Sequence, residues 1–449
     1  MFAEIVRLAP EHETAIFTRL ARFILWLGII WRTVAYLLQF PIWGDEAMLS
    51  INFVRYDYWG LTQQLDYCQI SPILFLWGER TAYVLFGSGE LSLRFLPYVA
   101  GTLSLWLYWR LTRLTLEPLA QLFAMGFLTV ATWPVAMSGM LKPYSFDLLM
   151  SLGLLLPAAH WLKQPEKSWG LVSLALLVPV SLLGSFPGVF VAGAVSVALL
   201  RPVYRSGWKV RGWYVVYNLA MYMSFLVAAK LGANQLNSDA GEHDTRTGMT
   251  NYWAHGFPPT HPLEFLWWLF LSTTGQMAAY PLGSANGGSA LTVLLCVVAV
   301  VSWVRQRRWE WLLLLSVPLF LNFVAAALHR YPYGGSGRLS QHLAASFCLG
   351  AGTGTALLLE RYRHWPVYRK CWILGLTLFF TAIGIGGIVR DLVERAPADA
   401  LVGVDVLDQA LVHEQDLRAA RDVRVDRHRE DRVVLLAVDV VELVAPHLL

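Results

Sequence analysis

Trp309-Glu310-Trp311-Leu312-Leu313-Leu314-Leu315-Ser316-Val317-Pro318-Leu319-Phe320-Leu321-Asn322-Phe323-Val324-Ala325-Ala326-Ala327-Leu328 holds a single charged side chain, Glu310, near its start. A run of roughly 20 mostly apolar residues can cross a bilayer as a helix, the conformation that satisfies its backbone groups where water is absent. Ten further runs read the same way, near 23–40, 92–110, 118–137, 144–162, 169–184, 187–200, 212–230, 288–304, 339–359 and 371–389. Two others, 71–86 and 264–281, are short, and the first carries Glu79 and Arg80. They read as helices lying in the membrane interface. The expected fold is an all-α, polytopic integral membrane bundle of about eleven transmembrane helices, with two interfacial helices in outer loops.

Whole-chain composition agrees. Of 449 residues, 56% are apolar and only 15% charged. A soluble domain carries about a quarter charged residues, and disorder needs low hydrophobicity with high net charge, so both classes are excluded. A net charge of +4 over this length gives no electrostatic footprint for nucleic acid. The 20 tryptophans suit a chain with much membrane interface. Cys68, Cys296, Cys348 and Cys371 form no Cys-x-x-Cys pair, so no zinc site or disulfide framework is indicated.

Basic residues orient the spans. With 71–86 and 264–281 kept out of the bilayer, Arg7/Arg19/Arg22, Arg110/Arg113, Lys163/Lys167, Arg201/Arg205/Lys209/Arg211, Arg305/Arg307/Arg308 and Arg361/Arg363/Arg369/Lys370 share one side. The longer loops opposite keep only Arg55, Arg80, Arg94, Lys142, Lys230, Arg246, Arg330 and Arg338. The positive-inside rule then puts the N-terminus in the cytoplasm and loops 41–91 and 231–287 outside. The first span lacks a small-residue cleavage site after it and reads as an uncleaved anchor. Residues 1–22 form a cytoplasmic segment, 23–390 the membrane domain and 391–449 a tail. From 396 onward that tail has no Phe, Tyr, Trp, Ser, Thr, Asn or Lys. It reads either as a weakly structured charged extension or as the product of a frame shift near Ala396.

Polar chemistry gathers in the outer loops. Asp45 and Glu46, in Trp43-Gly44-Asp45-Glu46-Ala47, follow the first span. Adjacent carboxylates there can act as a general base on a hydroxyl, or merely cap a helix. Leu65-Asp66-Tyr67-Cys68-Gln69-Ile70-Ser71-Pro72 opens the run 71–86 and supplies Asp66, Tyr67 and Gln69 as cavity candidates. Arg94, Lys142 in Lys142-Pro143-Tyr144-Ser145-Phe146-Asp147, and Arg338 in Tyr331-Pro332-Tyr333-Gly334-Gly335-Ser336-Gly337-Arg338 are three outward cations. A single cation of this kind usually snorkels to the headgroups. Three on one side, beside carboxylates, can hold a buried phosphate, and the glycines of 334–337 can bring backbone N–H groups close to an anion. Glu242, His243, Asp244, His255 and His261 match no standard metal-ligand spacing; a divalent cation is left open as a cofactor. The stretch Tyr252-Trp253 to Phe257-Pro258-Pro259 suits a loop folding over a cleft. Arg32 lies within the first span, at a depth where a charge usually faces the protein interior.

The order of these elements resembles the GT-C membrane glycosyltransferases, in particular the group of protein O-mannosyltransferases and lipid A aminoarabinose transferases. The elements are the carboxylates after the first span, a Pro-led interfacial helix, Gly87-Ser88-Gly89-Glu90-Leu91-Ser92-Leu93-Arg94-Phe95-Leu96-Pro97, and Lys142-Pro143-Tyr144. The resemblance covers roughly residues 35–390. It implies inverting transfer of a sugar from a polyprenyl-phosphate donor in the membrane to an extracytoplasmic acceptor, whether glycan, lipid or protein. It makes Asp45 the general base with Glu46 beside it. Lys142 and Arg338 would hold the donor phosphate with Arg94 and Tyr144 as helpers, and Asp66, Tyr67, Gln69 and Tyr333 would line the substrate cavity. Relatives often carry Lys-Pro-Pro where this chain has Ile70-Ser71-Pro72, so a cation is missing there. The rival class is a lipid-linked sugar transporter or flippase, and a third reading is an inactive scaffold. Transporters concentrate ionisable groups near the midplane, whereas here they lie in outer loops.

Overall fold

The computed structural model describes residues 10–42, 44–165, 167–236, 252–282, 288–362 and 364–394. Trp43, Glu242, His243, Asp244 and the tail from 395 lie outside the described residues. Contacts divide the chain into Met1–Pro397 and Ala398–Leu449; the second unit falls wholly outside them.

Every described element is helical. The order is α1 (Pro10–Leu38), α2 (Gly44–Arg55), α3 (Ile73–Phe86), α4 (Glu90–Leu93), α5 (Phe95–Thr115), α6 (Pro118–Thr129), α7 (Thr132–Gly139), α8 (Tyr144–Lys163), α9 (Trp169–Gly184), α10 (Gly188–Tyr204), α11 (Trp208–Leu236), α12 (Pro262–Leu271), α13 (Gly288–Arg305), α14 (Trp309–Ala327), α15 (Ala344–Arg361) and α16 (Pro366–Glu394). All eleven apolar runs form helices. Among the described residues six are long and apolar enough to span alone, and α6 with α7, bent by 50°, makes a seventh candidate. The chain is an all-helical polytopic membrane protein.

The two short runs are helical as well. At 1.5 Å per residue, α3 reaches about 21 Å and α12 about 15 Å, short of a hydrocarbon core of about 30 Å. Both are therefore too short to cross upright. Helix α12 ends in a π-helical turn, Ser272–Met277, and exposes Leu263, Leu266, Trp267 and Phe270.

Burial separates the helices by composition. Helix α15 with the 3-10 turn before it is 78% buried over its most apolar window, against 17% for α11 and 22% for α16. Small residues explain this: Ala344, Ala345, Gly350, Ala351, Gly352 and Gly354 let neighbouring backbones approach. At Gly352 an added Cβ would collide with the backbone of Ala124 on α6. Arg32 is 1% exposed and donates to the carbonyls of Gly28 (3.2 Å) and Thr129 (3.1 Å). Carbonyls, not a carboxylate, are the partners that its sequence position left unnamed. The last helix is tied to the first by Trp31, whose indole donates to Asp391 at 2.8 Å.

Candidate active site

One end of the bundle gathers the carboxylates and cations. Helix α2 starts at Gly44, the second residue of the carboxylate motif, so Asp45 and Glu46 occupy its first turn, where acidic side chains favour the helix dipole. Successive helical residues point about 100° apart. Glu46 joins the buried stripe of Leu49, Ser50 and Phe53 and is 2% exposed. The Asp45 side chain remains 31% exposed.

Each carboxylate takes its own cation. Lys142, in the short connection between α7 and α8, places Nζ 2.8 Å from Asp45 Oδ1 and donates to Gln69 Oε1 at 3.0 Å. Arg94 lies 3.6 Å from Glu46 Oε2 and 3.8 Å from Glu90 Oε2, and also donates to the Phe40 carbonyl. Glu46 Oε1 accepts from the Leu141 amide at 2.5 Å. Glu46 thus binds both Arg94 and the backbone beside Lys142. Burial pushes the Lys142 amine below its usual value; Asp45 opposes this, while nearby Arg338 adds to it.

Arg338 closes the cluster from the other side. It follows Ser336, whose hydroxyl accepts from its amide and caps the 3-10 turn Gly337–Leu343. Its guanidinium lies 5.7 Å from the Tyr144 ring centroid and 4.9 Å from that of Trp253, within cation–π range. Its Nε is buried without a hydrogen-bond partner, and Arg338 makes no ion pair among the described residues. Gly334 and Gly335 take φ of +80° and +76°, a turn that glycine makes without strain. Gly337 abuts the Trp133 indole so closely that a Cβ would collide with it.

The other cavity candidates divide. Gln69 is in the cluster through Lys142. Asp66 instead accepts from Arg55 and Tyr56, both at 2.9 Å, while its amide donates to Asn52 at 2.7 Å. Tyr67 is about half exposed in a left-handed conformation, φ +58°. Tyr333 is 3% exposed, with its hydroxyl 2.9 Å from Thr273 Oγ1 and its ring against Trp268 and Phe323. It packs in the core and, through its amide to the Gly256 carbonyl at 2.7 Å, anchors the loop that carries Trp253. Gln235 was not a candidate, yet it binds the Ser71 amide at 3.0 Å and fixes the start of α3. A buried glutamine near the end of a lipid-facing helix was the available signal. Among the described residues, no three His, Cys, Asp or Glu gather as metal ligands.

No protein-family model and no curated protein matches the chain. Among solved structures it is similar to an Archaeoglobus fulgidus oligosaccharyltransferase tethered to an acceptor peptide, at 11% identity and TM-score 0.44, covering 83% of this chain and 55% of that one. It is also similar to ArnT from Cupriavidus metallidurans bound to undecaprenyl phosphate, at 15% identity and TM-score 0.46, covering 86% and 73%. A third is A. fulgidus AglB in complex with an inhibitory peptide and a dolichol-phosphate, at 11% identity and TM-score 0.46, covering 84% and 56%. The chain thus spans little more than half the length of the archaeal chains. The likeness is one of helical architecture, and the ligands named are those proteins' own.

Proposed function

We propose that the chain is a membrane glycosyltransferase moving one sugar from a polyprenyl-phosphate donor to an acceptor hydroxyl on the extracytoplasmic side, with the N-terminus in the cytoplasm. The observation that carries this reading is the partly exposed Asp45 carboxylate held 2.8 Å from buried Lys142, with Arg338 near that lysine and in no ion pair among the described residues.

The chemistry follows from these groups. The acceptor O–H gives its proton to Asp45 as its oxygen attacks the anomeric carbon. The bond from that carbon to the phosphate oxygen breaks, and its electron pair leaves with the lipid phosphate. A single displacement inverts the carbon. The departing phosphate gains negative charge, which preorganised cations stabilise. An ammonium has three N–H donors; Asp45 and Gln69 take two of Lys142's, and the third is left for a phosphate oxygen. Arg338 offers a planar fork for the same group. Arg94 and Glu46 act in this reading as positioning residues, because the Glu46–Leu141 bond holds the backbone that presents Lys142. The greasy surface of the helices suits the isoprenoid chain.

Labelled polyprenyl-phosphate sugars supplied to the protein in nanodiscs test this. Transfer releases the free lipid phosphate, which a flippase does not do. Full release by a well-folded Asp45→Asn protein sinks the reading.

A further inference from the structure

Arg32 is a charge within a membrane span that the proposed chemistry does not use. It lies six residues before the end of α1, about 9 Å short of it at 1.5 Å per residue. An ionisable group at such depth is costly and is kept where it has a task. Arg32 forms no ion pair among the described residues. One guanidinium nitrogen instead ties two helices together, donating to Gly28 on α1 and to Thr129, the last residue of α6.

Thr129 is where a span bends. Helices α6 and α7 meet there at 50°. A helix end leaves its last carbonyls without intrahelical amides, and inside a bilayer such freed groups need partners from the protein. Both sides of this break are served from elsewhere in the chain. Arg32 takes the Thr129 carbonyl, and the Thr132 amide at the start of α7 donates to the Pro281 carbonyl at 3.0 Å. A cation at the C-terminal end of a helix also meets the negative end of its dipole. Gly28 permits the close approach, since an added Cβ there would collide with the Thr129 side chain.

Helix α7 carries the bend to the cluster around Asp45. It has eight residues and is about 12 Å long. Just past its end the Leu141 amide is held by Glu46 and Lys142 meets Asp45. In its first turn Trp133 packs against Gly337, the residue before Arg338. One short helix thus adjoins both cations assigned to the donor phosphate, and its direction is set at the Thr129 break.

We propose that Arg32 is a positioning residue: by bracing the α6–α7 break it sets where Lys142 and Arg338 sit. Its part in transfer rests on the proposed donor-phosphate site, and a readout without donor separates the two. The full chain in nanodiscs is measured by amide hydrogen exchange and by binding of free polyprenyl phosphate. Arg32→Met keeps an apolar stem and removes the donors. Losing a buried hydrogen bond of this kind is expected to speed exchange over 131–142 and over Gly337–Leu343 about tenfold, and to weaken lipid-phosphate binding about tenfold. Arg32→Lys keeps the charge without the fork. It should shift both readouts the same way by less, and it carries the test if Arg32→Met does not fold. Trp31→Phe is the control: it cuts the neighbouring bond to Asp391 on α16. It should lower the thermal midpoint while leaving exchange in those two segments, and lipid-phosphate binding, as in wild type. Unchanged exchange at 139–142 in the folded Arg32 variants, or the same loosening there in Trp31→Phe, overturns the proposal. So does faster exchange with wild-type affinity for polyprenyl phosphate. A wild type that binds no polyprenyl phosphate sinks the proposed function instead, and exchange alone then decides whether Arg32 braces the break.

Discussion

Asp45 and Glu46 are neighbours in sequence, carry the same functional group and sit on the same helical turn, yet they meet different surroundings. Glu46 is closed in: a backbone amide and an arginine hold it, and it is 2% exposed. Asp45 is open: its lysine is buried, but its own side chain is 31% exposed. The 100° step between successive helical residues is enough to assign one carboxylate to structure and the other to solvent. A buried ion pair contributes little net stability, because desolvation offsets attraction, but losing one partner is costly. An open carboxylate beside a buried cation is the arrangement that can exchange a proton with an arriving hydroxyl.

Substitutions can break this contrast. In Asp45→Asn the base is lost while the shape stays, and transfer is expected to drop by about 10³-fold, within the usual range for a general base. Lipid-phosphate release with saturating donor measures it. Removing the partner comes next. Lys142→Ala takes away a cation aimed at the leaving phosphate, and a loss of roughly 10²-fold is expected, whereas Lys142→Arg recovers part of it. Should Lys142→Ala leave the rate intact, the phosphate must be held elsewhere.

Glu46→Gln probes the other half of the pair. It leaves Arg94 with less negative charge in a buried setting, at a cost of about 3 kcal/mol. The thermal midpoint in detergent should fall, while turnover per folded molecule stays within a few-fold of wild type. Equal loss of turnover in Asp45→Asn and Glu46→Gln would erase the distinction between them.

How much of this could be read from sequence depends on the kind of signal. The apolar runs are long and repeat many times, so all eleven appear as helices, and charge distribution separates 71–86 and 264–281 from them. The helix ends are less legible. The kink between α6 and α7 falls inside one apolar run, and the run alone does not show it. The cluster of Asp45, Lys142, Gln69 and Arg338 draws on four separate segments. Their order suggested one outer face, but not which carboxylate pairs with which cation. On α2 two apolar stripes compete at helical spacing, Leu49/Phe53, whose face Glu46 continues, and Ala47/Ile51/Val54. Only packing against Arg94 and Leu141 decides that Glu46 faces inward. Tyr333 carries a polar handle on a large ring, and such a residue serves equally in a cavity wall or in a core. Its contacts with Trp268, Phe323 and Thr273 place it in the core.

Arg338 sharpens the comparison further, because it is a cation stacked on rings where Lys142 is a cation beside a carboxylate. Arg338→Lys keeps the charge but loses the planar fork and its contact with Tyr144 and Trp253. Roughly a tenfold rise in the donor concentration needed for half-maximal rate is expected, with little change in the maximal rate.

The smallest effect is one of pH, and its sign follows from Lys142. Burial lowers the pKa of this amine in the folded chain relative to the unfolded one. Between the two values the unfolded state binds more protons, so stability rises with pH across that window. Donor affinity moves the opposite way, because the neutral amine no longer attracts phosphate. On the alkaline side, below the pH at which an ordinary lysine titrates, wild type should therefore gain a little thermal stability while losing donor affinity a few-fold. Lys142→Gln has no such proton and should lose this component of both slopes, while Glu46→Gln, whose carboxylate lies in the closed pair, should keep the wild-type trend. Parallel slopes in wild type and Lys142→Gln would mean that some other group carries the titration, and that the open pair does not govern donor binding.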